Sequence, residues 1–250
     1  MTVTQFVNCR QCINGEFISQ PLTFSSAGII SASDIKADNI QTIDLRNAII
    51  APGFIELQTN GALGFHFAHE KPSAEYQAGV QKLAKYLPST GVTAFFPTVP
   101  TVPSAVFKQV LPHLIPQDLS DGASVLGSHV EGPFIAPSKK GAHDASNMHI
   151  PSEKSLEDVY GEENLRDSIR VLTLAPELPG AVGHIKKLSN EYGIHVSMGH
   201  SAATHEEGVM GQKAGANLIT HTFNAMNPLH HREPGLPGTL YELCFTIINS

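Results

Sequence analysis

Three glycines at the same point of three repeats constrain this chain more than any other feature: Gly91 before "VTAFFPT", Gly193 before "IHVSMGH" and Gly215 before "ANLITHT". A glycine just past a helix can take the left-handed conformation that ends the helix and returns the chain into a strand. From "APGFIELQTNG" onward, strand-like runs alternate with helix-length amphipathic segments. The strands read as "GFIELQ", "VTAFFPT", "SVLGSHVE", "IRVLTLAPE", "IHVSMGH" and "NLITHTF". Ser73 reads as an N-cap, Pro103 suits a first turn, Ser152 and Glu153 start another helix, and "PGAVGHIKKLSNEY" and "THEEGVMGQKA" give two more. Repeated βα units of this kind imply a parallel sheet with helices outside it.

The first stretch has a different rhythm. From Gln5 to about Ile50, short apolar segments are broken by turns, with "INGEFI" as a hairpin and "IISASDI" and "TIDLRNAII" as further strands. This predicts a small β domain over residues 1–51 and a (β/α) unit over 52–250. Nothing like G-x-G-x-x-G follows the first βα strand, which argues against a dinucleotide-binding fold. Polar residues sit instead at the C-terminal ends of several strands: Gln58, Asn60, Glu131, Glu177, His200 and His221. That distribution is the mark of a TIM-like barrel, whose active sites gather on one rim.

Composition narrows the partners. With a formal charge of −7 and no basic cluster, nucleic acid is not an expected partner, and no apolar run is long enough to span a membrane. The start lacks the basic and apolar regions of a signal peptide, so the expected compartment is the cytoplasm. Three cysteines make no disulfide framework, and Cys9-x-x-Cys12 lies in a strand-like stretch before the Asn14-Gly15 turn rather than at a helix N-terminus.

Thirteen histidines are many for 250 residues, and their positions matter. Glu131 in "HVEGPF", His200 in "SMGHSAAT" and His221 in "ITHTFNAMNP" each end an apolar run and precede a small or turn-forming residue. One such histidine alone reads as a hydrogen-bonded core residue. At equivalent places in three βα units, one carboxylate and two imidazoles read as ligands of a divalent metal with a position left for water. The loops "KKGAHD" and "FNAMNPLHHREPG" then read as substrate handles, with Arg232 suited to gripping a phosphate.

Together, "APGFIELQTNG", "GSHVEGPFIAPSKKGAHD", "LTLAPE", "VSMGHSAAT" and "THTFNAMNPLHHREPG" closely resemble the N-acetylglucosamine-6-phosphate deacetylases of the amidohydrolase superfamily. The resemblance implies a metal-dependent hydrolase that converts N-acetylglucosamine 6-phosphate to glucosamine 6-phosphate and acetate. It implies one divalent metal, zinc first among candidates, held by Glu131, His200 and His221. Gln58-Thr59-Asn60 stands where many amidohydrolases have His-x-His, which speaks against a second metal. The resemblance further implies that Ala142 and His143 contact the sugar, that His143 polarises the acetamido carbonyl, and that Asn224, Ala225 and Arg232 hold the phosphate. Homologues of this kind are often dimers.

The family's acid/base aspartate, at the end of the last barrel strand, has no counterpart among these residues. The strand reading reaches six of a barrel's eight, and "YELCFTIINS" departs from the family pattern, reading as a residual strand or an altered tail. The expectation is therefore an incomplete, C-terminally truncated barrel of about six units, with exposed edges on its first and sixth strands and little deacetylase activity. Two other readings are a catalytically silent sugar-phosphate and metal-binding protein, and a cyclic-amide hydrolase. "HHREPG" and the missing His-x-His oppose the latter.

Overall fold

The structure, a computed structural model, describes residues 3–25, 28–29, 40–241 and 246–248. It divides into two compact units, Met1–Gly53 and Phe54–Ser250. In the first, β1 (Val3–Ile13) pairs antiparallel with β2 (Glu16–Ser19) and β3 (Leu22–Ser25). β4 (Gly28–Ile29) lies against β3, and β5 (Ile40–Ile50) runs parallel to β1. Asn14 and Gly15, with φ of 52° and 82°, turn β1 into β2, as a tight two-residue hairpin requires. Cys9 is buried, with its thiol 3.3 Å from the Gln20 carbonyl, and both Cys9 and Cys12 are free thiols. Of the "IISASDI" strand, all but Ile29 lies outside the described residues.

The second unit opens with β6 (Phe54–Thr59) and a small hairpin, β7 (Gly61–Ala62) and β8 (Phe65–His66). It continues through α1 (Ser73–Tyr86), β9 (Val92–Pro100), α2 (Ser104–Val110), β10 (Ser124–Val125) and β11 (Ser128–Glu131). After α3 (Leu156–Tyr160) and α4 (Glu162–Asp167) come β12 (Ile169–Leu174), α5 (Ala181–Asn190) and β13 (His195–Met198). Last are α6 (His205–Lys213), β14 (Ala216–Thr220), α7 (Gly235–Gly238) and β15 (Thr246–Ile248). The main sheet is parallel, in the order β6-β9-β11-β12-β13-β14-β15, with the short β10 also on β9. It curls as a half barrel does. The joint glycines Gly91, Gly193 and Gly215 have φ of 86°, 66° and 122°, the left-handed half of the map that they were read to supply.

Alternation along the strands separates two faces. Val130, Leu172, Leu174, Val196, Met198 and Ile219 join one apolar core with Val80 and Leu83 of α1, Phe107 of α2 and Ile185 and Leu188 of α5. Truncating one such leucine to alanine would cost about 2–5 kcal/mol. The alternate residues His129, Glu131, Thr173, Ser197 and Thr220 are buried too, and all are polar.

Several local expectations need correction. Ser73 is the first helical residue of α1, and Pro72 occupies the cap position with no side-chain bond. The helix expected at Ser152 begins at Leu156, because Ser155 accepts the Asp158 N–H at 3.1 Å while residues 151–154 form turns. The sixth strand is not an edge: Leu218, Ile219 and Thr220 pair with Thr246, Ile247 and Ile248. The β-branched run "TII" suits a strand, so "YELCFTIINS" contributes a seventh, short strand to the sheet. Phe54 and Ile55 on β6 remain 70% and 56% exposed, as expected of the first strand.

Candidate metal centre

Glu131 ends β11, while His200 and His221 each follow the last residue of their strand, β13 and β14, within two positions. Their backbones carry these side chains inward by an unusual route. His200 and His221 have φ of 48° and 53°, conformations that cost a non-glycine residue about 1–3 kcal/mol and that cluster at functional sites. Hydrogen bonds hold the strained turns. Ser201 N–H donates to the Ala225 carbonyl at 3.0 Å, and Asn227 Nδ2 donates to the Ala202 carbonyl at 2.8 Å. Glu177 takes the Ser201 hydroxyl at 2.7 Å and the Ala202 N–H at 2.6 Å.

The three side chains meet. Glu131 Oε1 lies 3.0 Å from His200 Nε2 and 2.7 Å from His221 Nε2, and the candidate ligand atoms all fall within 4.8 Å of one another. On the far side of the His200 ring, Nδ1 is 2.8 Å from the Lys139 carbonyl, which can only accept. In a neutral ring that bond places the proton on Nδ1 and turns the Nε2 lone pair toward the carboxylate. A lone pair facing a carboxylate oxygen is repulsive unless a proton or a cation lies between them. Burial opposes charge on Glu131, but the bonds to His200 and His221 outweigh it and hold the carboxyl well below its usual range. The same carboxylate raises the His200 pKa against the effect of burial.

His143 stands beside this group. Its Nδ1 accepts the Thr101 N–H at 3.2 Å, so Nε2 carries the ring proton and lies 3.7 Å from Glu131 Oε2. Burial is the main cause of a pKa lowered to about 4, which keeps the ring a neutral donor. Thr101 also ties Glu131 in place, its hydroxyl donating to the Glu131 carbonyl at 3.0 Å.

These residues line a cavity of about 550 Å³, together with Gln58, Asn60 and Ala142. Gln58 Oε1 is buried there and accepts no hydrogen bond from the described residues. The structure does not bring all the sequence-singled residues together. Asn224, Ala225 and Arg232 lie on the loop after His221, outside the cavity lining, and Asn224 and Arg232 are exposed. Conversely, His66 and Thr101 line the cavity without having been singled out, and Asp144 enters it from the "KKGAHD" loop. Thr101 follows β9, which extends past Thr98 to Pro100, so the strand-end rule would have found it with the correct strand boundary.

No protein-family model matches the chain. Among curated proteins, the N-acetylglucosamine-6-phosphate deacetylase of Danio rerio is 38% identical over 243 residues, 95% of this chain and 59% of the relative. Among solved structures, the N-acetylglucosamine-6-phosphate deacetylase of Pasteurella multocida superposes with a TM-score of 0.79 at 27% identity, covering 98% of this chain and 63% of that one. A variant of the Mycobacterium smegmatis enzyme, in complex with N-acetyl-D-glucosamine-6-phosphate, gives 0.77 at 25% identity over 98% of this chain and 62% of that one. The chain thus spans about three-fifths of the length of the curated relatives it matches. No helix among its described residues is long and apolar enough to cross a membrane. In sequence along nearly its whole length, and in fold, the chain is a homologue of the N-acetylglucosamine-6-phosphate deacetylases.

Proposed function

We propose that the chain carries the one-metal site of an N-acetylglucosamine-6-phosphate deacetylase, with Glu131, His200 and His221 as ligands. The observation that carries this reading is the convergence of their three ligand atoms within 4.8 Å, with the His200 lone pair aimed at a carboxylate. Two imidazoles and a carboxylate suit zinc and its first-row neighbours. A bound divalent ion would supply a Lewis acid and a water of lowered pKa. His143 presents its Nε2 proton to the acetamido oxygen as charge develops there, and the Thr101 N–H keeps that tautomer in place. Gln58 Oε1 is suited to accept from a water or an amide N–H in the cavity. Arg232, with Asn224 and Ala225, grips the phosphate once the exposed loop meets substrate.

The proton budget favours a second reading beside this one. Among the described residues, the carboxylates lining the cavity are Glu131 and Asp144. Glu131 is committed to His200 and His221, and Asp144 Oδ1 takes both the N–H and the hydroxyl of Ser146, at 2.9 and 2.8 Å. Neither is placed to carry a proton from water to a leaving amine. On this second reading the described site binds metal and sugar phosphate without turning the substrate over. Acetate release from N-acetylglucosamine 6-phosphate, measured with zinc and after chelation, separates the readings. Metal-dependent release supports the deacetylase reading, tight binding with no release supports the silent binder, and release that survives both chelation and Glu131→Ala contradicts the metal centre.

A further inference from the structure

One layer back along the strands that carry the candidate ligands, a chain of side-chain hydrogen bonds crosses the polar face of the sheet. His129 Nδ1 lies 3.2 Å from the Leu57 carbonyl, and His129 Nε2 lies 2.7 Å from Thr173 Oγ1. Thr173 Oγ1 is 2.8 Å from Thr220 Oγ1, which is 2.6 Å from Ser197 Oγ. The four side chains are all 0% exposed. Leu57 is on β6 and His129 on β11, with β9 between them in the sheet; Thr173 on β12 reaches Thr220 on β14 past β13. Only a curled sheet brings such non-adjacent strands into contact.

The direction of every bond follows from the carbonyl at one end. Leu57 can only accept, so the ring proton of a neutral His129 is on Nδ1 and its Nε2 is bare. Thr173 must then give its hydroxyl proton to His129. Each hydroxyl has one proton, so Thr220 donates to Thr173 and Ser197 donates to Thr220. An imidazolium would reverse the run, but that charge would have to be held with no solvent exposure.

The chain touches each ligand's neighbourhood. His129 is two residues before Glu131, Thr220 immediately precedes His221, and Ser197 is three residues before His200. A Cβ on Gly199, the residue before His200, would lie 2.8 Å from the Thr220 Cβ and 3.3 Å from the Thr173 Cγ2. The two threonines therefore also fix how closely that backbone approaches.

We infer that this one-way chain sets the spacing of the strands that carry Glu131, His200 and His221, with His129 and Thr220 as positioning residues for the metal; the role rests on the metal-centre reading above. Two measurements on the 250-residue chain test it. Nitrogen-15 NMR of histidine-labelled protein is expected to show His129 in the neutral Nδ1–H tautomer with a slowly exchanging ring proton. Zinc affinity, from competition with a chromogenic chelator, is expected to fall at least about tenfold in Thr220→Val, which keeps the shape and loses both bonds, and to be restored to within about threefold by Thr220→Ser. Ser197→Ala, which deletes only the terminal donor, should weaken zinc by a smaller factor and serves if Thr220→Val does not fold. An Nε2–H tautomer or a charged His129 would overturn the inference, as would Thr220→Val binding zinc like the parent. A parent that binds zinc no better than Glu131→Ala would instead overturn the metal centre and the positioning role with it, while the tautomer still reports the bond direction.

Discussion

Glu157 and Glu131 each hold two neighbouring polar groups against one carboxylate oxygen, and their surroundings differ in one decisive respect. Glu157, partly exposed on α3, takes the Lys187 ammonium and the Tyr192 hydroxyl, both at 2.6 Å. Burial pushes its pKa up, but the bonds to Lys187 and Tyr192 together outweigh it and lower it to about 2. Glu131, nearly fully buried, takes only imidazoles, at 3.0 and 2.7 Å. Among the described residues, Glu157 has a permanent positive charge against it, whereas the ion-pairing partners of Glu131 are imidazoles. A buried carboxylate without a fixed counter-charge is costly, and such a cluster persists where a proton or a metal completes it. The surface pair is a finished ion pair; the buried group is the one we propose as a set of metal ligands.

The largest effect that could break this contrast is at Glu131. At zinc a thousand times its dissociation constant the parent should gain about 4 kcal/mol of stability, and Glu131→Gln should gain almost none. Denaturant melts with and without metal check this, and an equal gain in the variant would erase the distinction. Next is His143, which borders the three proposed ligands and is assigned a different role. His143→Gln should lower acetate release about 100-fold, matching the loss of one oxyanion donor, with metal-induced stabilisation unchanged. Loss of that stabilisation as well would make His143 a ligand.

The smallest effect is at Glu157. Glu157→Gln should cost about 0.5 kcal/mol, the scale of a partly exposed ion pair, and leave zinc binding alone. The folded-state pKa is depressed, so this contribution is complete above the ordinary carboxylate value of 4.5 and is lost as pH falls toward about 2. Stability measured at pH 7 and again near pH 2 should show the parent and variant converging at the acid end. A gap that widens there would reverse the sign of the argument.

The convergence of Glu131, His200 and His221 was legible in the sequence because the sheet places them. Polar His129 and Glu131 flanking apolar Val130 put Glu131 on the polar face of the fully buried β11, and the strand-ending positions of His200 and His221 bring both to the same rim. The joint glycines gave the helix-to-strand returns on which that rim depends, and all three have positive φ. Loop residues lack such a frame. Arg232 and Asn224 were singled out by motif and lie outside the cavity, whereas His66 enters it from a hairpin whose two-residue strands carry no period to read. The buried chain from Ser197 to Leu57 was equally hidden. Its members look like ordinary strand threonines, serines and a histidine until the curl of the sheet brings non-adjacent strands together. Helix starts failed for a local reason: Ser152 and Ser155 both precede acidic residues, and only the turn at 151–154 chooses between them.

Elemental analysis of the purified chain after dialysis against excess chelator-free buffer containing zinc tests the central claim most directly. The account predicts one equivalent of tightly held divalent metal per chain, lost in each of Glu131→Ala, His200→Ala and His221→Ala while Glu157→Gln keeps it. Metal retained by all three ligand variants, or absent from the parent, would contradict it.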